Sequence, residues 1–376
     1  MKPLLTLFIL FTLTACKAQK NSYLADTNAT KLTQSLHNNM IEIANKHILL
    51  GHQDALAYGV NWRYEEGRSD IHDVTGEYPA IMGWDIGKIE HRAQKNLDGV
   101  PFDKMRQYII ESAKRGSINT ISWHLDNPLS NRDSWDTTIV VKHILPNGHL
   151  HQKYKSWLDE VANFIQSLKF ENGEPVPILF RPFHELNGNW FWWGKKHCST
   201  EEYIDLWKFT FYYLKDIKNI NQLIYVYNTN SFASEEEFLE RYPGDDYVDI
   251  LSFDTYQFDN NITVEKSSAK FKNHLQNNLA ILEKVGKMKN KLIAIGEIGY
   301  ETIPQNDWWT DILFESIKNI NLSYFLLWRN QGLLNNKMHY YAPYKGHKSA
   351  ENFNRMLETD RIILQKKLEK LHLYNK

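Results

Sequence analysis

Eight short runs rich in β-branched and apolar residues alternate with longer amphipathic stretches along this chain of 376 residues. Strands separated by helical segments favour an α/β fold with a parallel sheet, because parallel strands need long crossover connections. Eight such repeats with no dividing linker predict a single (β/α)8 TIM barrel. The predicted strands are residues 47–53, 78–87, 117–124, 176–185, 222–228, 248–256, 291–299 and 322–330.

Helical patterns fill most of the gaps between these strands. We expect helices over residues 102–115, 154–168, 203–217, 263–285 and 310–320. Ser199 and Glu202 form a capping box at the start of the third of these helices. Glycines interrupt the region between the first two strands, so a doubly wound open sheet remains the competing fold. No glycine-rich phosphate-binding motif supports that alternative.

The start of the chain indicates export. Lys2 precedes a short apolar run over residues 3–13, and Leu13-Thr14-Ala15-Cys16 resembles a bacterial lipobox. We therefore expect a lipoprotein signal peptide over 1–16 with lipid attached to Cys16, a polar tether over 17–30 and the (β/α)8 domain over 31–376. A plain cleaved signal peptide is the alternative. No acidic run follows Cys16, which slightly favours a membrane anchor facing the periplasm over one at the cell surface.

The amino-acid composition limits the kinds of partner that this chain is expected to bind. The chain has 44 Lys+Arg and 45 Asp+Glu, a balance that gives no electrostatic footprint for nucleic acid, and the lipid anchor is the one membrane contact we expect. If Cys16 is lipidated, Cys198 alone cannot form an intrachain disulfide, and we expect a buried, inert thiol. The 12 Trp residues suggest stacking surfaces, because buried indole N–H groups need partners.

Ionisable and aromatic residues gather at the C-terminal ends of the predicted strands, where barrel enzymes hold their active sites. Glu185 ends the fourth strand and Glu297 the seventh, so these carboxylates can face each other across the barrel mouth. Two carboxylates in an aromatic-lined cleft can cleave glycosidic bonds, one by donating a proton and the other by attacking or activating water.

Other residues leave alternatives open. A zinc site would have to be assembled from His52, His124 and His184 without a spacing motif, which makes it the weaker chemistry. The long connection over residues 125–153 contains Trp135, which either flanks a substrate groove or pins the loop to the barrel.

The run Phe180-Arg181-Pro182-Phe183-His184-Glu185-Leu186-Asn187-Gly188-Asn189-Trp190-Phe191-Trp192-Trp193-Gly194 closely resembles the acid/base signature of glycoside hydrolase family 26. Members of this family are mostly β-mannanases with a retaining (β/α)8 barrel. Shorter similarities extend over nearly all of the mature chain: Ser122-Trp123-His124, Ser252-Phe253-Asp254-Thr255-Tyr256, Gly296-Glu297-Ile298-Gly299-Tyr300 and Trp328-Arg329.

The resemblance implies that Glu185 is the general acid/base and Glu297 the nucleophile, with Tyr256 donating a hydrogen bond to Glu297. Glu301 is the rival nucleophile, which we discount because it follows the strand end. The resemblance also implies sugar contacts from His124, His184, Trp190, Asp254, Tyr256, Trp328 and Arg329. We expect carboxyl groups about 5–5.5 Å apart, as retaining enzymes have, no cofactor or metal, and a monomer.

The expected reaction is hydrolysis of β-1,4-mannosidic linkages in mannan, galactomannan or manno-oligosaccharides by double displacement. Family relatives that act on β-1,3-xylan or mixed-linkage β-glucan are the second possibility. A sugar-binding lipoprotein on a decayed hydrolase scaffold is the non-enzyme alternative.

Overall fold

Eight parallel strands form a closed barrel in the computed structural model, which describes residues 24–371 and 373–374. The strands are β1 (Ile48–Gln53), β2 (Ile81–Asp85), β3 (Ile118–Trp123), β4 (Ile178–Pro182), β5 (Leu223–Asn230), β6 (Ile250–Gln257), β7 (Leu292–Tyr300) and β8 (Leu322–Leu327). Consecutive strands pair with one another, and β8 pairs with β1 through Leu49 opposite Tyr324, which closes the barrel. The predicted (β/α)8 fold is confirmed.

Helices surround the barrel. They are α1 (Lys31–Ala44), α2 (Asp70–Thr75), α3 (Phe102–Lys114), α4 (Val141–Ile144), α5 (His151–Ser167), α6 (Thr200–Tyr212), α7 (Glu235–Leu239), α8 (Val264–Lys289), α9 (Glu315–Ile317), α10 (Ala350–Leu357) and α11 (Gln365–Glu369). The capping box at Ser199 is present at the start of α6. One-turn π-helices over Tyr213–Ile217 and Trp309–Phe314 extend α6 and precede α9. None of the helices within the described residues is long and apolar enough to cross a membrane.

Four strands, β2, β3, β4 and β8, end one to three residues earlier than the sequence predicts. The differences at β4 and β8 are the largest and affect candidate site residues. β4 ends at Pro182, because Phe183 and Glu185 have φ angles of 50° and 54° that turn the chain out of the ladder. β8 ends at Leu327. Glu185 and Trp328 therefore lie on loops just beyond the strands, on the barrel's catalytic side.

The N-terminal end of the barrel is covered by α1. Leu36 and Met40 of this helix join the same apolar cluster as Leu49, Ile224 and other strand side chains. Three short strand pairings complete the fold: Tyr58–Gly59 with Trp62–Arg63, Gly332–Leu334 with Lys337–His339, and Ile362–Ile363 with β1.

Residues 24–30, assigned to the tether from sequence, pack against the barrel. Leu24 and Ala29 are buried, and the Ala25 amide donates to Asp249 Oδ1 at 2.6 Å. The Asn221 side chain donates to Asp26 Oδ2 at 2.9 Å. The sequence analysis assigned this segment to the tether because its composition is mostly polar, although Leu24 and Ala29 are buried. Any tether therefore ends before Leu24. The signal peptide and Cys16 lie outside the described residues.

Candidate active site

Glu297 is presented by an irregularity in β7. Phe253 pairs with Ile295 but Asp254 pairs with Glu297, so Gly296 is an extra residue in the ladder between β6 and β7. Such bulges commonly re-aim a side chain beside an active site. A Cβ atom at position 296 would overlap the Asn228 side chain and lie 2.6 Å from Asp254 Oδ1. Glycine is therefore required for this approach of β5 and β6 to the candidate nucleophile.

Two donors hold the two oxygens of Glu297. Arg181 Nη2 donates to Oε1 at 2.5 Å, and the Tyr256 hydroxyl donates to Oε2 at 2.6 Å. The hydrogen bond expected from Tyr256 is thus present. Because Glu297 is only 4% exposed, these bonds fix the direction in which its carboxylate faces the barrel mouth.

Asp254 lies below the cleft and not in it. It is fully buried, and its Oδ2 accepts from Arg181 Nη1 at 3.1 Å and from Asn228 Nδ2 at 2.6 Å. Burial and the neighbouring charge of Glu297 raise the pKa of Asp254 well above its ordinary value. The sugar contact expected of Asp254 does not fit this burial, and its geometry suits support of Arg181 instead.

Arg181 joins the two acidic residues, and sequence reasoning assigned it no role. Burial alone would lower its pKa, but the charges of Asp254 and Glu297 outweigh that effect and raise it. An arginine inside a buried strand rarely lacks an acidic partner, and that was the signal available in the sequence. Asn228 was recognised only as a strand end, because its partner on β6 depends on the strand register.

Glu185 sits on the turn after β4, and Trp190 Nε1 donates to its Oε2 at 2.6 Å. Burial, followed by the negative charge of Glu297, raises the pKa of Glu185 to about 7, although the indole bond opposes this shift. A carboxyl group still partly protonated near neutral pH can donate a proton to a leaving oxygen. Glu185 and Glu297 therefore have environments that separate an acid from a carboxylate.

Two histidines form a buried chain beside the carboxylates. His124 Nδ1 lies 2.7 Å from Asp85 Oδ2, and His124 Nε2 lies 3.1 Å from His184 Nε2. Burial alone would lower the pKa of His124, but Asp85 raises it above the ordinary value. Burial, then the charge of His124, lowers the pKa of His184 well below its ordinary value. These opposite shifts favour a proton on His124 over one on His184 within this pair.

Asp85 is thus a support residue that sequence reasoning left out. It follows Trp84 at the end of β2 and also accepts hydrogen bonds from the Ser122 hydroxyl and the Gly87 amide, both at 2.7 Å. His124 and His184 are 8% and 1% exposed, so little of either ring faces the cleft.

Aromatic rings line the open side of the cleft. Trp190 and Trp135 are 36% and 49% exposed, whereas Phe191, Trp192 and Trp193 of the same motif are buried. The Trp135 ring stacks on His124 with centroids 5.4 Å apart, which places it beside the candidate site. This contact fits both alternatives given for Trp135 above. An open, polar cavity of about 680 Å³ adjoins this ring, bordered by Lys88 and by residues 131–133 and 135–137.

Three loops wall the opposite end of the cleft. Trp328 and Arg329 are half-buried just beyond β8, and Arg329 forms an ion pair with Asp98 of the loop after β2. The Tyr64 hydroxyl, on the loop after β1, donates to the Gly99 carbonyl at 2.6 Å. The expected sugar-binding role of Arg329 must therefore be shared with an ion pair.

Competing residues lie elsewhere or are already bonded. Glu301 is half-exposed and lies 2.8 Å from His339 Nδ1. Within the described part of the chain, one group of side chains is spaced to hold a metal, namely Glu90, His91 and Asp126. Its carboxylates already bind protein partners: Trp123 Nε1, the Asp126 amide, Lys88 Nζ and His91 Nε2. Cys198 is buried as predicted, and burial raises the pKa of its thiol.

The closed barrel and this pair of unlike carboxyl groups at its mouth define the class of glycoside hydrolases. The sequence model of Glycosyl hydrolase family 26 matches residues 25–321. The chain belongs to that family.

Similar proteins agree with this assignment. A family 26 β-mannanase structure from Bacteroides ovatus superposes with a TM-score of 0.87 at 40% identity, covering 92% of this chain and 98% of that one. A mannan endo-1,4-β-mannosidase from Bifidobacterium adolescentis is 28% identical over 96% of this chain and 38% of its own length. An enzyme of the same name from Bacillus subtilis is 30% identical over 61% of this chain and 65% of its own length. The chain thus spans less than two thirds of these two curated relatives.

Proposed function

We propose that this protein is a retaining β-mannanase that hydrolyses β-1,4-mannosidic linkages in mannan, galactomannan or manno-oligosaccharides. The observation that carries the proposal is the pairing of Glu185, whose pKa is raised to about 7, with Glu297, whose oxygens are held by Arg181 and Tyr256. One side chain is equipped to donate a proton and the other to attack.

In the first step, Glu297 attacks the anomeric carbon while Glu185 gives its proton to the glycosidic oxygen. The glycosidic bond breaks, the shortened chain leaves with that proton, and a sugar ester forms on Glu297. The esterified Glu297 no longer carries a negative charge, which removes one cause of the raised pKa of Glu185. Glu185 then accepts a proton from water, whose oxygen attacks the anomeric carbon and releases the sugar with its configuration retained.

The choice of mannan is supported by the similar proteins, which are mannan endo-1,4-β-mannosidases and a family 26 β-mannanase. Cleavage of β-1,3-xylan or mixed-linkage β-glucan would use the same carboxylates, and a sugar-binding protein would use none. We infer sugar contacts from Trp190, Trp135 and Trp328, because stacked indole rings suit the apolar faces of sugars.

The test is a time course of products from purified protein with galactomannan, manno-oligosaccharides, β-1,3-xylan and mixed-linkage β-glucan. We expect manno-oligosaccharide release by the wild type, and its loss in Glu185→Gln and Glu297→Ala. Glu301→Gln is the matched control, since this nearby carboxylate should be dispensable. Glu185→Gln should still cleave a dinitrophenyl β-mannoside in the first step, because that leaving group needs no proton.

Release of oligosaccharides only from β-1,3-xylan or mixed-linkage β-glucan would identify that polysaccharide as the substrate instead of mannan. Binding of manno-oligosaccharides without turnover would replace hydrolysis with sugar binding. Activity in Glu297→Ala comparable to the wild type would contradict the assignment of the nucleophile.

We also propose that Cys16 carries a lipid anchor facing the periplasm and that the protein acts as a monomer. The lipobox-like run Leu13-Thr14-Ala15-Cys16 supports the anchor. Expression of the full chain should place it in the membrane fraction, and Cys16→Ser should release it. Membrane retention of Cys16→Ser would contradict lipid attachment at this residue.

A further inference from the structure

The indole of Trp190 contacts the candidate acid as a hydrogen-bond donor. Its Nε1 lies 2.6 Å from Oε2 of Glu185, five residues earlier in the chain. Trp190 is also 36% exposed, so one face of the ring remains open to the cleft. This side chain therefore combines an aromatic surface with a polar contact to the proton donor.

Gly188 makes this position of the indole possible. A Cβ atom at residue 188 would lie 2.5 Å from Cη2 and Cζ2 of the Trp190 ring. The backbone of Gly188 is fixed on both sides, because its amide donates to the Glu185 carbonyl at 2.8 Å and its carbonyl accepts from the Lys195 amide at 2.9 Å. The loop cannot shift to accommodate a side chain there, so the ring would have to move.

We propose that Gly188 is a positioning residue that lets Trp190 donate to Oε2 of Glu185 and thereby places the acidic proton on Oε1. This inference rests on the proposed role of Glu185 as the proton donor. Gly188 acts only through Trp190.

The chemistry follows from the donor and acceptor capacities of a carboxyl group. A protonated carboxyl has one carbonyl-type oxygen and one hydroxyl, and the carbonyl-type oxygen is the better acceptor. An N–H group held at Oε2 therefore favours the tautomer with its O–H on Oε1. The same N–H group also stabilises the carboxylate that forms after proton donation, so it strengthens Glu185 as an acid.

The other charges around Glu185 are independent of this bond. They belong to four strands or strand ends: Arg181 on β4, His124 after β3, Asp254 on β6 and Glu297 on β7. Gly188 and Trp190 lie on the loop after β4, so substitutions there leave these four groups in place.

The first experiment requires no turnover. In protein labelled with ¹⁵N at tryptophan indoles, the Trp190 signal is identified by its loss in Trp190→Phe. We expect a downfield indole proton that titrates with a midpoint near pH 7 in the wild type and does not titrate in Glu185→Gln. In Gly188→Ala the signal should move upfield and lose its titration. An unchanged, titrating signal in Gly188→Ala would overturn the proposal.

The second experiment follows the pH dependence of kcat/KM on galactomannan, whose alkaline limb reports the acid in the free enzyme. Trp190→Phe and Gly188→Ala should each move this limb upward by about half to one pH unit, as expected for loss of one hydrogen bond to the carboxylate. The double variant should show the same shift and not the sum. Independent, additive shifts, or no shift in Trp190→Phe, would contradict the proposal.

Trp135→Phe is the matched control. This indole is also exposed in the cleft and stacks on His124, yet none of its hydrogen bonds reaches Glu185. It should lower kcat/KM without moving the alkaline limb. If the wild type hydrolyses none of the polysaccharides, the proposed function fails, whereas the indole titration still decides the role of Gly188. If Gly188→Ala does not fold, two results decide whether the bond through which Gly188 acts exists: the indole titration of the wild type compared with Glu185→Gln, and the alkaline limb of Trp190→Phe. An indole signal that does not titrate in the wild type, or an unmoved limb in Trp190→Phe, would overturn the proposal.

Discussion

At the scale of single residues, two glutamates acquire different chemistry from what their oxygens contact. Both oxygens of Glu297 accept from Arg181 and Tyr256, whereas Glu185 has one indole donor and an environment that penalises its charge. Hydrogen bonds to a carboxylate favour the charged form, and burial next to a like charge disfavours it. The same type of side chain can therefore serve as the acid at Glu185 and as the nucleophile at Glu297.

Loss of the Tyr256 donor tests this division. Tyr256→Phe should reduce kcat on galactomannan about 10²-fold, the usual cost of removing one donor that orients charge in a reaction centre. Thermal unfolding should change little. Tyr341→Phe is the control, because its ring contacts Tyr256 with centroids 5.5 Å apart without bonding to Glu297. Equal losses in both variants would show that the effect does not depend on the hydrogen bond to Glu297.

The raised pKa of Glu185 also implies a cost to stability. In the unfolded chain this glutamate ionises near pH 4.5, and in the folded protein near pH 7. Folding therefore retains a proton between these values, and the wild type loses stability as pH rises through this window and remains penalised above it. Relative to wild type, Glu185→Gln should gain roughly 2 kcal/mol in free energy of unfolding between pH 5 and pH 8.

Urea unfolding at the two pH values measures this difference, and Glu66→Gln, at an exposed carboxylate, is the control. A pH-independent difference between wild type and Glu185→Gln would show that Glu185 ionises alike in both states.

The residues of the site that could be predicted were those at strand ends or in a dense motif, such as Glu185, Glu297 and Tyr256. The residues that could not be assigned support the site through hydrogen bonds to side chains on neighbouring strands. Asp85 supports His124, and Asn228 supports Asp254. Each of these contacts depends on strand register, and the bulge at Gly296 shifts it by one residue. Periodicity in one strand does not reveal such a shift.

At the scale of elements, the loop after β4 carries the proton donor, Glu185. Asn187 of this loop connects it by hydrogen bonds to the loop after β5. The Asn187 side chain accepts from the Asn230 amide at 2.7 Å and donates to the carbonyls of Asn230 and Ser231 at 3.3 and 3.0 Å. One amide thus joins the loops after β4 and β5.

Asn187→Ala should cost about 1–3 kcal/mol of folding free energy, since it removes these bonds from partly buried groups. It should also lower kcat more than it raises KM, because Glu185 lies two residues away. Asn189→Ala, at an exposed side chain in the same loop, should match the wild type in both. Measurement of kcat, KM and the unfolding midpoint for the pair decides whether the tie matters.

The existence of strands and helices could be predicted, but some of their ends could not. Apolar runs of the right length identified the eight strands, whereas β4 stops at Pro182 because two non-glycine residues adopt positive φ angles. Local propensity disfavours such angles, so tertiary packing must impose them. The π-helical turns at Tyr213–Ile217 and Trp309–Phe314 are likewise invisible to a 3.6-residue pattern.

At the scale of the whole molecule, the barrel is covered at its N-terminal end by α1 and by the segment that precedes it. The eightfold alternation predicted the closed barrel, but it carried no information on residues 24–30, whose two buried apolar side chains are too few for a pattern.

A variant that begins at Lys31 should be about 3 kcal/mol less stable than one that begins at Leu24. It loses the burial of Leu24 and Ala29 and the amide donor to Asp249. Urea unfolding compares the two, and the activity per folded molecule should be equal because this segment lies opposite the barrel mouth. Equal free energies of unfolding for the two variants would show that residues 24–30 contribute nothing to stability and belong to the tether.

The absence of a side chain at Gly296 also constrains how sequences of this family can drift. Asn228 and Asp254 occupy the space that a Cβ atom at position 296 would need, and both belong to the network that ends at Glu297 through Arg181. Any larger residue at 296 requires new residues at 228 and 254 in the same lineage. These three positions, on three different strands, should therefore change together or not at all.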